Sequence, residues 1–203
     1  GSAELLENGL VKPEDQPRFL SRIHQEADRL VALINDILRL SQLDEGGALP
    51  HEQVSVLELA QEAARSLTAQ AAAQAVHISV TGTVGTVFGV RRLLYEIARN
   101  LCENAVKYNV PGGSVTVEVA ETDRDVALLV RDTGIGIPEG DQSRVFERFY
   151  RVDKSHSRAI GGTGLGLSIV KHAVAYHHGT LRLESQLGKG TVITVTLPKK
   201  PTE

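Results

Sequence analysis

The sequence predicts an α+β protein, a two-layer sandwich of helices on a sheet preceded by a helical hairpin. Three observations predict it. A long helix with apolar residues spaced alternately by three and four comes early, and a glycine-rich break, DEGGALP at 44–50, ends it. Beyond the break, strands come in consecutive hairpins with helices between them, which disfavours a doubly wound parallel sheet. The break sets the expected boundary, a helical unit at 1–45 and a mixed unit at 46–203.

Residues 3–9, AELLENG, read as the tail of a helix ending at Gly9, joined through a loop with Pro13 to the next helix. That helix is expected over 18–43. Leu20, Ile23, Ala27, Leu30, Ile34, Ile37 and Ser41 mark a heptad seam, and Pro17 suits its first turn. Leu33, Leu38 and Leu40 widen the stripe beyond a two-stranded seam, so a bundle made by two chains is expected. In the second unit a strand at 53–56 leads to an alanine-rich helix at 57–74. Strands follow at 76–81 and 86–88, then a helix at 91–108 carried by Leu94, Ile97, Ala98, Leu101, Cys102 and Ala105. Residues 115–120 and 126–130 form a hairpin, and a short helix is expected over 141–149. A helix from Gly166 to about 177 and a hairpin of 181–185 with 191–197 complete the chain.

Of the 203 residues, 41% are hydrophobic and 23% charged, as in globular proteins. A net charge of −3 gives no footprint for nucleic acid. The single cysteine, Cys102, cannot make an internal disulfide and lies in an apolar helical pattern, consistent with a core residue in a reducing compartment. No apolar run is long enough to span a membrane. The opening Gly-Ser without methionine looks like a cleavage scar, and the chain is expected to be a fragment.

Chemistry concentrates in three stretches. IGGTGLGLSIVKHA, at 160–173, joins clustered glycines to a helix N-terminus, a combination suited to phosphate. It is not a Walker loop, because the nearest Gly188-Lys189 pair is followed by Gly190. Nor is it a dinucleotide fingerprint, because Leu167 occupies the third glycine position. In RDTGIGIP, at 131–138, Asp132 ends an apolar strand where a carboxylate can accept a ligand amine. Gly134 and Gly136 permit a tight turn beside it, and Ile135 and Ile137 can line a flat apolar pocket. An ordinary Asp-Thr-Gly turn has the same local sequence. In NLCENAVKYN, at 100–109, Asn100 and Asn104 share a helix face with Lys107 nearly on it, amide oxygens suiting Mg²⁺ and an ammonium suiting phosphate. A loop-lining Asn100 and an exposed Lys107 would fit the same spacing.

Together with FERFYR at 146–151, these stretches resemble, in order and spacing, the N, first glycine, F and second glycine boxes (GTGLGL, 162–167) of sensor histidine kinases. That family shares its ATP-binding fold with gyrase, heat-shock chaperone and mismatch-repair ATPases. The segment ending LINDILRLSQLD resembles the second helix of the family's dimerisation domain, so the resemblance covers nearly the whole chain. It implies a Bergerat-type ATP-binding sandwich with ATP and Mg²⁺ as cofactors. Asp132 would accept the adenine amine, Asn104 would ligate Mg²⁺ with Asn100 close by, Lys107 would meet phosphate oxygens, and Tyr108 would wall the pocket. Gly134, Ile135, Gly136 and Ile137 on one side, and Gly162, Thr163, Gly164, Leu165 and Gly166 on the other, would complete the nucleotide site. Arg151, and with less support Arg148, would neutralise γ-phosphate charge, and 152–161 would form a lid. The implied partners are ATP, a response-regulator receiver domain and a second copy in the full-length protein, without nucleic acid. The implied place is the cytoplasmic portion of a membrane-anchored bacterial sensor.

A clamp ATPase of the same superfamily is the nearest alternative, but such ATPases carry neither this F box nor the heptad helix. A degenerate scaffold is disfavoured because Asn104 and Asp132 are both present. The family's acceptor histidine precedes an acid and a Thr-Pro pair. Among the seven histidines only His51 precedes an acid, and it continues HEQVSV. His24, His77, His156, His172, His177 and His178 also lack that setting, so the chain is expected to bind Mg-ATP without phosphorylating itself. Val90 occupies a place that the family often fills with Asp or Asn, so a helix cap worth about 1 kcal/mol is expected to be lost there.

Overall fold

The computed structural model describes residues 1–44, 49–152 and 163–200. Its first unit is a helical hairpin, α1 (Ser2–Glu7) and α2 (Gln16–Asp44), with α1 packed back on α2. Gly9, at a φ of +65°, follows α1 where the sequence places the helix end. Leu20, Leu30 and Ile34, three positions of the expected seam, are more than half exposed in the single chain, as is Val31 beside them, while Ile23 is partly buried.

The second unit begins with β1 (Glu52–Ser55), which runs directly into α3 (Val56–Ser66). The Ser55 hydroxyl accepts from the Glu58 N–H and caps the helix, so Val56 opens α3 rather than closing the strand. The single helix expected over 57–74 is two, α3 and α4 (Thr68–Ala73), broken at Leu67. Side-chain hydroxyls account for the break: Ser66 donates to the Ala63 carbonyl and Thr68 to the Arg65 carbonyl, competing with the helical ladder. Next come β2 (His77–Gly82), β3 (Thr86–Gly89) and α5 (Arg91–Lys107).

The hairpin of β4 (Ser114–Glu121) and β5 (Asp125–Asp132) follows, then α6 (Glu139–Gln142), α7 (Gly166–Tyr176), β6 (Thr180–Gln186) and β7 (Gly190–Pro198). The helix expected over 141–149 is confined to α6, with turns beyond it. Phe149 takes a φ of +65° and donates to the Gly164 carbonyl, while the Tyr150 hydroxyl turns back to Asp141; neither fits a continuing helix.

Five strands form one sheet in the order β2-β4-β5-β7-β6, with β2 and β4 parallel and every other pair antiparallel; β1 and β3 make a separate two-stranded ribbon. Alternation along the central strands sends Val115, Val117 and Val119, Val126, Leu128 and Val130, and Val195 and Leu197 into one core. The helices α3, α5 and α7 cover that face, with α5 between the other two. The opposite face carries Thr116, Arg131, Thr194 and Arg182. The α+β two-layer sandwich expected from the sequence is the observed fold. Cys102 lies wholly in the core, where burial pushes its thiol up to about 12. No helix among the described residues is long and apolar enough to cross a membrane.

Candidate functional site

Asp132 is the last residue of β5, the middle strand of the sheet, paired in register with Val115 of β4. Strand alternation leaves it half-buried at the sheet's end, and two backbone N–H groups hold one carboxylate oxygen. Gly134 donates to Oδ1 at 2.8 Å and Thr191, at the start of β7, at 3.2 Å. Burial raises the Asp132 pKa above the ordinary carboxylate range, and those two hydrogen bonds oppose the shift. The carboxylate is thus aimed by backbone from two directions and partly stripped of water, as a side chain that must choose one hydrogen-bonding partner should be.

The glycines around it are required by close approach. A Cβ on Gly134 would stand 2.3 Å from the Tyr108 carbonyl oxygen. Gly136, at a φ of +68°, passes so near the Gln186 carbonyl that a Cβ would meet it at 2.1 Å. Backbone bonds extend this network: Ile135 donates to the Tyr108 carbonyl at 3.0 Å, and Gly188 donates to the Ile135 carbonyl at 2.7 Å. Ile137 donates to the Ser185 hydroxyl, and Gln142 clamps the Ile137 and Ser185 carbonyls. Ile135 remains half exposed and Ile137 partly so, an apolar edge beside the carboxylate.

The N-box residues approach from α5. Asn109, just past the helix, donates to the Ala105 and Ser114 carbonyls, and its Oδ1 accepts from Val110 N–H and from the Thr133 hydroxyl. Thr133 Oγ1 in turn accepts from Ser114 N–H at 2.9 Å, so the helix end is tied to the turn that holds Asp132. Lys107 and Tyr108 are half-buried, with the Lys107 ammonium 5.6 Å from the Tyr108 ring centroid. Burial lowers the Lys107 pKa; Glu103 raises it and the Arg151 charge lowers it further. Burial raises that of Tyr108, with the Arg151 charge opposing. Arg151 is thus near enough to act electrostatically on both Lys107 and Tyr108. The Arg148 guanidinium is 3.2 Å from His172 Nε2 on α7.

The second glycine box meets the N box at the start of α7. A Cβ on Gly166 would lie 2.8 Å from Asn100 Oδ1, so the two motifs face each other across that gap. Asn100 Nδ2 is held by the Glu96 carbonyl, and the half-buried Asn104 amide makes no hydrogen bond among the described residues. An amide oxygen at a helix N-terminus, with a second asparagine one turn further along α5, is a donor set suited to a hard cation. Gly164, at a φ of +75°, packs against Phe149, and the Leu165 N–H is held by Thr163 Oγ1. Leu165 is wholly buried and packs with Ile169 against Leu33 of α2, so the glycine box is anchored to the helical unit. Gly162 and, apart from Val152, the expected lid at 152–161 lie outside the described residues.

The sequence reading misses four contributors: Thr191 and Gly190, which back Asp132; Thr133, which bridges two motifs; and Glu96, which holds Asn100. The signal for the first two is the Gly188-Lys189-Gly190 run, informative only as a tight turn opposite the strand end. The side-chain cap expected to be lost at Val90 is absent, and the Val90 N–H itself donates to His177 Nε2 at 3.0 Å.

Comparison with known proteins agrees with this geometry. Residues 89–201 match the family of histidine kinase-, DNA gyrase B- and HSP90-like ATPases, and residues 1–46 match the His Kinase A (phospho-acceptor) domain. The sensor-like histidine kinase SenX3 of Mycolicibacterium smegmatis is 39% identical over 99% of the chain and 54% of its own length. The sensor histidine kinase WalK of Bacillus subtilis is 34% identical over 97% of the chain and 33% of its own length. The chain thus spans about half or less of these relatives. Among solved structures, the mycobacterial sensor histidine kinase MprB is 32% identical with a TM-score of 0.65, covering 75% of the chain and 100% of MprB. Full-length ShkA, crystallised with AMPPNP, is 27% identical with a TM-score of 0.77, covering 98% of the chain and 42% of ShkA. With its carboxylate, its amide pair and its two glycine boxes, the chain belongs to the histidine kinase-, DNA gyrase B- and HSP90-like ATPase family, within it to the sensor histidine kinases of two-component systems.

Proposed function

We propose that the chain binds Mg-ATP between α5, the 132–138 turn and the start of α7, and that the γ-phosphate goes to a histidine of a phosphoacceptor helix and on to an aspartate of a response-regulator receiver domain. The observation that carries this reading is Asp132, a desolvated carboxylate aimed by the Gly134 and Thr191 N–H groups at the end of the central strand. Its second oxygen is the natural acceptor for the exocyclic amine of adenine, with Ile135 and Ile137 beside the ring and Tyr108 toward the sugar and phosphates. Lys107 and Arg151 supply positive charge to the phosphates, and Arg148, held at His172, does so only by leaving that partner. Gly162, Thr163, Gly164, Leu165 and Gly166 bring backbone N–H groups to the phosphates at the helix end. Asn104, with Asn100 beside it, would hold Mg²⁺, which when bound neutralises phosphate charge. The unit boundary falls at 45/46, the exposed α2 seam pairs with a second copy in the full-length kinase, and the chain works on the cytoplasmic side of an anchored sensor.

None of the seven histidines stands before an acid and a Thr-Pro pair, so none is expected to accept phosphate. The test is calorimetric titration of ATP with and without Mg²⁺, alongside Asn104→Ala and a radiolabel transfer assay. Binding that depends on Mg²⁺ in the wild type, falling about tenfold in the variant, is expected on the loss of a ligand to a charged centre. Label is expected to stay in solution; acid-labile phosphate on the chain would sink the claim about its histidines, and absence of ATP binding would sink the nucleotide reading itself.

A further inference from the structure

Glu96 lies one turn before Asn100 on α5 and is only 7% exposed, an acidic residue inside the layer that faces the core. A buried carboxylate costs stability unless it is hydrogen-bonded, and burial is the exception for Glu. Asn100 Nδ2 donates twice to this one residue, to its backbone carbonyl at 2.8 Å and to Oε2 at 3.3 Å. The amide cannot be turned round without setting its oxygen against two acceptor atoms. Asn100 Oδ1 therefore points away from Glu96, to the N-terminus of α7, where only a glycine at 166 leaves it room. Among the described residues that oxygen accepts no hydrogen bond.

We propose that Glu96 is a positioning residue for the metal and phosphate end of the site: its carboxylate locks the Asn100 amide so that the oxygen, not the NH2, faces the cation and the second glycine box. The inference rests on the Mg-ATP reading. Removing the carboxylate leaves Nδ2 with the backbone carbonyl alone and frees the amide to swing. A glutamine at 96 can still accept through its amide oxygen. An aspartate at 100 has an oxygen at both ends and needs no orienting.

The test is ATP titration of the full chain with and without Mg²⁺ for the wild type, Glu96→Ala, Glu96→Gln and the double variant Glu96→Ala with Asn100→Asp. Glu96→Ala is expected to lose about tenfold of the affinity that Mg²⁺ adds, the size of one hydrogen bond to a charged group. Its metal-free ATP affinity is expected to stay unchanged, Glu96→Gln to keep the Mg²⁺ gain, and the double variant to recover it. In the protein without nucleotide, the Asn100 side-chain NH2 is expected to exchange with solvent faster in Glu96→Ala than in the wild type. The proposal is overturned if Glu96→Ala keeps the full Mg²⁺ gain, if Glu96→Gln falls as far, if the double variant fails to recover it while its melting temperature matches that of Glu96→Ala, or if the NH2 exchange does not change. A wild type that binds no ATP would instead remove the functional reading, an outcome read from the first titration alone.

Discussion

On the Mg-ATP reading, replacing Asp132 by asparagine isolates the base-recognition half of the site. One end of the new amide keeps what the carboxylate does for the fold, because its oxygen can accept from the Gly134 and Thr191 N–H groups at 2.8 and 3.2 Å. The other end is then an NH2 facing the adenine NH2, two donors where there had been a donor and a charged acceptor. A hydrogen bond to a charged group contributes about 1.5–3 kcal/mol, and each 1.4 kcal/mol is tenfold, so ATP binding is expected to weaken by about tenfold to about a hundredfold. A 6-keto purine gains what adenine loses, so the preference for ATP over GTP is expected to narrow by at least as much. Stability moves the other way. The folded-state pKa of Asp132 is raised, chiefly by burial, so its contribution to stability is greatest below the unfolded carboxylate value of about 3.9 and is lost as pH rises through the folded value. At neutral pH the variant is therefore expected to melt at the wild-type temperature or above it. Calorimetric titration with both nucleotides and a thermal melt of the free proteins are the assays. Binding of ATP by the variant within about twofold of wild type, or a lost affinity accompanied by a lower melting temperature, would refute the reasoning.

Two further expectations follow from local geometry. His177 donates through Nδ1 to the Ala173 carbonyl and accepts through Nε2 from Val90, an arrangement open only to the neutral ring, and burial lowers its pKa, with His51 and His178 adding in the same direction. Stability from this group is present above the ordinary imidazole value of about 6.5 and is lost as pH falls toward the lowered folded value; urea unfolding across that range should show a slope that shrinks in His177→Gln. Gly190→Ala combines a φ of +99° with a Cβ 2.0 Å from the Asp132 carbonyl, whereas Gly112→Ala has a φ of +80° and open space. The second is expected to cost about 1 kcal/mol and the first about 3 kcal/mol or more in denaturant unfolding, with ATP binding lost only in the first.

Periodicity makes the scaffold legible, and the reason is visible in α5. Leu94, Ile97, Ala98, Leu101, Cys102 and Ala105 recur at helical spacing, and all are buried in the structure. The β4–β5 hairpin is legible the same way, from alternation that the burial of Val115, Val117 and Val119 follows. Where hydroxyls outbid the backbone ladder, as at Ser66 and Thr68, a run of alanines reads as one helix and folds as two. The 141–149 segment misleads for a different reason. Its turns are set by Gly164 and Asp141, a distant partner and a side-chain bond that spacing does not record.

The site divides along the same line. Asn100, Asn104, Lys107 and Asp132 announce themselves because each is an unusual residue at a marked place, within an apolar helix or at the end of an apolar strand. Their supports do not. Asp132 is aimed by Thr191, 59 residues away, and the approach is possible only because Gly190 has no side chain. The Gly188-Lys189-Gly190 run excludes one phosphate loop by its sequence, yet its structural task is to press β7 against the end of β5. At the other end of the site Glu96 is an ordinary-looking acid on a helix until the fold buries it beneath Asn100. The Asp132 end is thus held by backbone hydrogen bonds, which carry almost no sequence signature, and the Asn100 end by a side chain on α5 that only its burial singles out. On the Mg-ATP reading, that division would let the adenine acceptor be aimed before any ligand arrives, while charge neutralisation would rest on long side chains, Lys107 and Arg151, gathering around the phosphates.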